Sequence, residues 1–135
     1  MTVVKSRLLL LLAPFLILLL TQCKQSRYGQ GERLYLAHCA NCHMEDGKGL
    51  AKLIPPLAGA DYLKLNQDRV PCIIRHGQSG EITVNGVVFN LEMPGEKYTD
   101  IQIYNMGKYF NTTWGNDIQE VTITETQERL KSCQK

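Results

Sequence analysis

A chain of 135 residues has room for one domain of ordinary size and excludes two sizeable cores. Its 15 Lys and Arg against 13 Asp and Glu give a formal net charge of +2, which excludes the strongly basic face of a nucleic-acid binder.

Lys5 and Arg7 precede an apolar run from Leu8 to Leu20, the n-region and h-region of an export signal. The run is about 13 residues, shorter than the roughly 20 that a spanning helix needs. Its end, Leu20-Thr21-Gln22-Cys23, resembles the signal of a bacterial lipoprotein, in which the cysteine of an L-x-x-C box is acylated and becomes the mature N-terminus. Gln22 stands where such signals carry a small residue. The resemblance implies a signal over residues 1–22, a lipid on Cys23, a tether over 23–30 and a home on the periplasmic side of a bacterial membrane. Acyl chains contribute about 0.8 kcal/mol per buried methylene, so several of them anchor stably. Loss of Lys5 and Arg7 leaves 15 − 2 = 13 basic residues against 13 acidic ones. The mature chain is formally neutral.

From Gly31 to Cys39, Leu34, Tyr35 and Leu36 predict a helix of about two turns that delivers Cys39-Ala40-Asn41-Cys42-His43 at its end. A Gly-containing loop follows, then Ile54-Pro55-Pro56-Leu57, an extended strip because each proline removes an amide donor and restricts the residue before it. Asp61 to Gly77 reads as two short helical pieces interrupted by Pro71, with Gly77 as the stop. Ile82 to Phe89, with Asn85-Gly86 at its centre, predicts a hairpin with a type I′ turn. Val84 then faces Val87, and Ile82 faces Phe89, four apolar side chains on one face. Thr99-x-x-Gln102 is a capping box opening a helix with Ile103, Met106, Tyr109 and Phe110 as its apolar stripe. Thr124-x-x-Gln127 repeats the device before a last helix containing Leu130 and Cys133. The predicted class is mostly α with one small β-hairpin, in a single domain over residues 31–135 with a C-terminal helical extension.

The C-x-x-C-H at Cys39, Cys42 and His43 admits three chemistries. Structural zinc wants four ligands, usually as two closely spaced pairs, and no second C-x-x-C or H-x-x-x-H exists in the chain. A thioredoxin-like redox pair opens a helix in a βαβ unit, whereas here a helix precedes the motif and prolines follow it. Haem fits directly: two thiols add across two vinyl groups on one porphyrin edge, and the adjacent histidine ligates the iron. With Cys23 taken by lipid and Cys39 and Cys42 by the motif, Cys72 and Cys133 remain. Two spare thiols in an exported chain pair as a disulfide more often than not.

At this point the chain resembles the class I c-type cytochromes, over about residues 28 to 115. Gly31 and Tyr35 stand eight and four residues before Cys39, where that family places a glycine and an aromatic on its first helix. Met106 and Tyr109 lie on the later helix that the first one crosses, and Pro55-Pro56-Leu57 matches the strip after the motif. Tyr109 to Asn116 resembles the close of many bacterial members. The crossing makes Gly31 and Gly107 candidates for close helix contact. Tyr35, Tyr109 and Trp114 read as packing residues.

A histidine-ligated iron needs a partner on its other face, and Met44, Met93, Met106, His38 and His76 are the candidates. Met44 adjoins His43, His38 adjoins Cys39, and Met106 sits on a helix stripe where methionine usually fills core. Met93 and His76 remain. Met93 precedes Pro94-Gly95 in a loop, and its place in the chain order implies, by the resemblance, that it is the second ligand. The resemblance also implies that the Pro55 carbonyl accepts the Nδ1 proton of His43. The implied function is one-electron transfer by one covalent haem c, with redox proteins as donor and acceptor and no catalytic residues. The alternative is an open iron, in a peroxidase- or oxidase-like subunit or a small-ligand sensor.

Overall fold

The computed structural model describes residues 29–133. The export run and Cys23 lie outside the described residues.

Helix α1, Gly29–His38, begins two residues before the predicted start, so Gly31 lies inside it. Helix α2 is the single turn Ala40–His43. Helices α3, Asp61–Leu65, and α4, Val70–His76, follow. Pro71 does not interrupt α4. It stands in the first turn, where a missing amide donor costs nothing, and the break between the two pieces falls at residues 66–69.

Gly77–Gln78 forms β1, Ile82–Val84 β2, Val87–Phe89 β3 and Met93–Pro94 β4. Strands β2 and β3 pair Ile82 with Phe89 and Val84 with Val87, around a turn in which Asn85 (φ 50°) and Gly86 (φ 76°) are both left-handed. That register agrees with the sequence reading, but the apolar face is only partly buried. Val84 and Phe89 are in the core while Val87 is 37% exposed, because the twist of a two-stranded ribbon turns one diagonal inward. The turn is clasped to the start of α3 by Asn85 N donating to Asp61 Oδ1 at 2.7 Å and Asp61 N donating to Asn85 Oδ1 at 3.0 Å. The pairing of β1 with β4 had no counterpart in the sequence reading.

Helix α5, Asp100–Thr112, opens on the Thr99–Gln102 capping box. Helix α6, Ile123–Ser132, opens on Thr122 and Glu125 rather than on Thr124 and Gln127. Both registers fit the pattern. The earlier one puts a carboxylate in the first turn, where it accepts the Thr122 amide at 2.6 Å, a charge-assisted bond that the helix dipole favours.

The core is assembled where α1 crosses α5. Tyr35, Ile103 and Met106 are at most 1% exposed, and the Tyr35 ring lies 5.4 Å from Tyr109 and 5.0 Å from Trp114, centroid to centroid. A Cβ on Gly31 would sit 2.2 Å from Asn105 O, a backbone atom that cannot swing aside. Gly107 differs from the expectation, since a Cβ there would meet nothing within 4 Å. The two glycines therefore predict opposite signs. Gly31→Ala should cost about 1–3 kcal/mol through overpacking, while Gly107→Ala should gain roughly 1 kcal/mol of helix propensity, as read by denaturant unfolding of the two variants.

Candidate haem-binding cleft

The C-x-x-C-H motif folds as the turn that follows α1. Cys39 N donates to Tyr35 O at 2.8 Å, and His43 N donates to Cys39 O at 2.9 Å, so α1 and α2 run on with a kink at Cys39. The chain then reverses through Met44 (φ 61°), whose carbonyl accepts the Tyr35 hydroxyl. Leu57 N and Ala58 N both donate to Gly47 O, at 2.7 and 2.9 Å, and fold the proline strip back over the motif. The consequence is specific: Pro55 O lies 3.0 Å from His43 Nδ1. A carbonyl can only accept, so Nδ1 carries the proton and Nε2 is left as the ring's lone-pair nitrogen. His43 is 8% exposed, and burial holds its pKa below the usual imidazole value, with the Pro55 bond opposing in part. It is a neutral imidazole, the form that binds metal.

Cys39, Cys42, His43, Pro55 and Met93 line one open cleft together with apolar side chains that include Leu57, Leu63, Val70, Ile74, Val84 and Phe89. Its empty space, counted out through the open mouth, is about 1420 Å³. Leu53 and Leu91 belong to the same lining and are 59% and 60% exposed. A wide apolar cleft with two thiols at one edge and a directed imidazole suits a flat apolar macrocycle.

The thiols of Cys39 and Cys42 are not joined to each other. Burial, with a smaller contribution from Cys42, pushes the Cys39 thiol up to about 11, opposite to the lowered value of a redox-active C-x-x-C. Among the described residues no group of three or more His, Cys, Asp or Glu is placed to hold a metal.

Of the five candidates for the second axial position, Met93 and His38 line the cleft, while Met44, Met106 and His76 do not. Met106 is fully buried between helices. His38 packs its ring edge-on against Tyr98, 5.6 Å between centroids, on the residue next to Cys39. Cys72 and Cys133 are bonded as a disulfide between α4 and the end of α6, Cα atoms 5.6 Å apart.

Two supports had no sequence signal strong enough to single them out. Asn116, 5% exposed, donates through Nδ2 to Leu57 O (2.7 Å) and Phe110 O (2.9 Å), and its Oδ1 accepts Gly59 N at 2.6 Å. It ties the end of the proline strip to the end of α5. The second support is the β1–β4 pair, which holds the backbone of Met93.

Short helices wrapped about an apolar cleft, with a C-x-x-C-H turn on one wall, define a haem-attachment domain. The chain belongs to the cytochrome c family: the family model described as Cytochrome c matches residues 29–114. Its members bind covalent haem c with iron and carry electrons. Cytochrome c-552 of Thermus thermophilus is 32% identical over 91 residues, 64% of this chain and 69% of that protein. The cytochrome c subunit of a quinone alcohol dehydrogenase from Gluconacetobacter polyoxogenes is 33% identical over 90 residues, 64% of this chain but 19% of that subunit. Its counterpart in Gluconobacter oxydans is 27% identical over 105 residues, 76% of this chain and 22% of the subunit.

Proposed function

We propose that this protein is a membrane-tethered, single-haem electron carrier working outside the cytoplasm, between a quinol-oxidising complex or dehydrogenase and a terminal reductase or oxidase. The observation that carries the reading is the meeting of His43, its Nε2 freed by the Pro55 bond, with Met93 in one apolar cleft. In this reading Cys39 and Cys42 would hold the haem through thioethers, and His43 and Met93 would bind its iron.

The haem supplies a reversible one-electron iron couple. Pro55 fixes the His43 ring by accepting the hydrogen bond of its Nδ1 proton. Met93 would offer the iron a soft, neutral sulfur, a donor that favours the ferrous state. The apolar lining excludes water and so limits the reorganisation that accompanies each electron. A partner need only approach the cleft mouth.

The tether rests on the N-terminal sequence: a signal over residues 1–22, a lipid on Cys23 and a spacer that ends where α1 begins at Gly29. Among the described residues no helix is long and apolar enough to cross a membrane. Similarity to dehydrogenase cytochrome subunits supports a dehydrogenase as donor.

Carbon monoxide tests the carrier reading. The reduced protein at neutral pH should bind it slowly and incompletely, whereas rapid, complete binding would establish an open iron and an oxidase- or sensor-like protein. Intact mass of the membrane fraction should show one haem plus acyl chains on a chain starting at Cys23. A mass without acyl additions removes the tether and leaves the carrier reading standing.

A further inference from the structure

We propose that Gly77 and Gly95 are positioning residues for Met93, forming a backbone crossing that presses the ligand-bearing strand against the end of α4. This inference rests on Met93 being the second ligand of the iron.

Helix α4 stops where Gly77 takes φ 86° and its N–H returns to Ile73 O. The chain runs straight on as β1, which pairs antiparallel with β4, Gly77 opposite Pro94 and Gln78 opposite Met93. The approach is tighter than any side chain allows. A Cβ on Gly77 would stand 2.3 Å from Met93 O, and a Cβ on Gly95 would stand 2.4 Å from His76 C and 2.6 Å from Arg75 O. All of these neighbours are backbone, so none can yield by changing rotamer. Two glycines therefore face each other across one crossing, each touching the strand or helix end that the other belongs to.

The crossing is closed on its far side. Glu96 N donates to Ile74 O at 3.4 Å, and Arg75 Nη2 meets Asp100 Oδ1 at 2.7 Å, joining the last turn of α4 to the first turn of α5. Residues 93–100 are thus held at both ends by one helix, and that helix also supplies Val70, Ile73 and Ile74 to the cleft lining. Cleft wall and ligand strand form one unit. The chemistry makes this matter: a thioether is a soft donor and holds ferric iron weakly, so its occupancy in the oxidised state depends on how well its backbone is held. An exogenous ligand that competes for the iron reports the fraction of molecules in which Met93 has moved away, since apparent affinity scales with that fraction.

Gly95→Ala is the discriminating variant, because Gly95 has no left-handed φ and the methyl group brings contact without conformational strain. The ferric holoprotein is titrated with imidazole, its far-red thioether-to-iron absorption band is recorded, and Gly107→Ala serves as a glycine control with no neighbour to meet. Expected are a weakened band and an apparent imidazole affinity raised about tenfold or more, with Gly107→Ala unchanged. If Gly95→Ala unfolds, Gln78→Pro, which removes an amide donor from β1 opposite Met93, is expected to act in the same direction. A lower melting temperature with band and imidazole affinity unchanged would overturn the proposal, since the glycines would then serve folding alone. Met93→Ala separates the two levels. If it leaves the band intact, the ligand assignment and the positioning role fall together. If it abolishes the band while the crossing variants leave imidazole binding unchanged, the positioning role alone is overturned.

Discussion

Met93→Ala is expected to lower the reduction potential by roughly 0.1–0.3 V, a fraction of the ~0.8 V that axial ligation spans, and to make the reduced protein bind carbon monoxide rapidly and completely. Both effects have one cause. With Met93 as the proposed ligand, removing its sulfur would leave water or hydroxide to bind the iron, and a hard oxygen prefers ferric iron where the thioether prefers ferrous. Covalent haem content should not change, because Cys39, Cys42 and His43 belong to a turn of the chain held by α1 and the Pro55 strip. His76 is the control for the assignment. It is exposed at the end of α4 and outside the cleft lining, so His76→Ala should move the potential little. If the two variants exchanged these outcomes, the crossing at Gly77 would have to be undone for His76 to enter the cleft.

Much of this was legible in the sequence because local chemistry dictated it. The C-x-x-C-H turn, the extended Pro55-Pro56 strip, the Asn85-Gly86 turn and the Thr99 capping box each follow from a few neighbouring residues. The packing of Gly31 against Asn105 was also within reach, because a glycine at that distance from the motif matches a family position. What escaped depends on partners distant in the chain. Gly107 looks like Gly31 in sequence, yet a Cβ added there would meet nothing within 4 Å, since helix position decides which glycine faces the crossing. Thr122 and Thr124 offer nearly the same cap pattern, and only the stronger acceptor at Glu125 separates them. The β1–β4 pair is two residues long on each side, too short for any alternation to announce it. Asn116 is a polar residue among polar residues until three backbone groups from two segments converge on it.

Replacing Cys72 and Cys133 together by alanine is expected to cost about 4 kcal/mol, the chain-entropy value for a loop of this length, and to lower the melting temperature by about 15–30 °C. The bond spans 61 residues and joins α4 to the end of α6. Helix α6 has ten residues, of which Thr126 alone is buried, and it is shorter than the roughly 12–15 residues at which an isolated helix becomes even marginal in water. Its other ties to the domain include Arg129 Nη1 donating to Gln67 O at 2.9 Å and Leu130 packing partly buried against the core, while Asn111 Nδ2 reaches Gln119 O at 3.4 Å in the segment that leads into α6. The disulfide therefore adds a covalent tie to the packing that docks α6 on α4 and α5. No residue of α6 lines the cleft, and the family match ends at residue 114, so the extension should act on stability without acting on the iron. The double variant at 25 °C should keep the wild-type potential and resist carbon monoxide as the wild type does, while unfolding earlier on heating. A melting shift under about 5 °C would show that side-chain packing of α6 suffices without the bond. A changed potential in the folded variant would show instead that the disulfide sets the position of α4, and through it the wall against which Met93 is held.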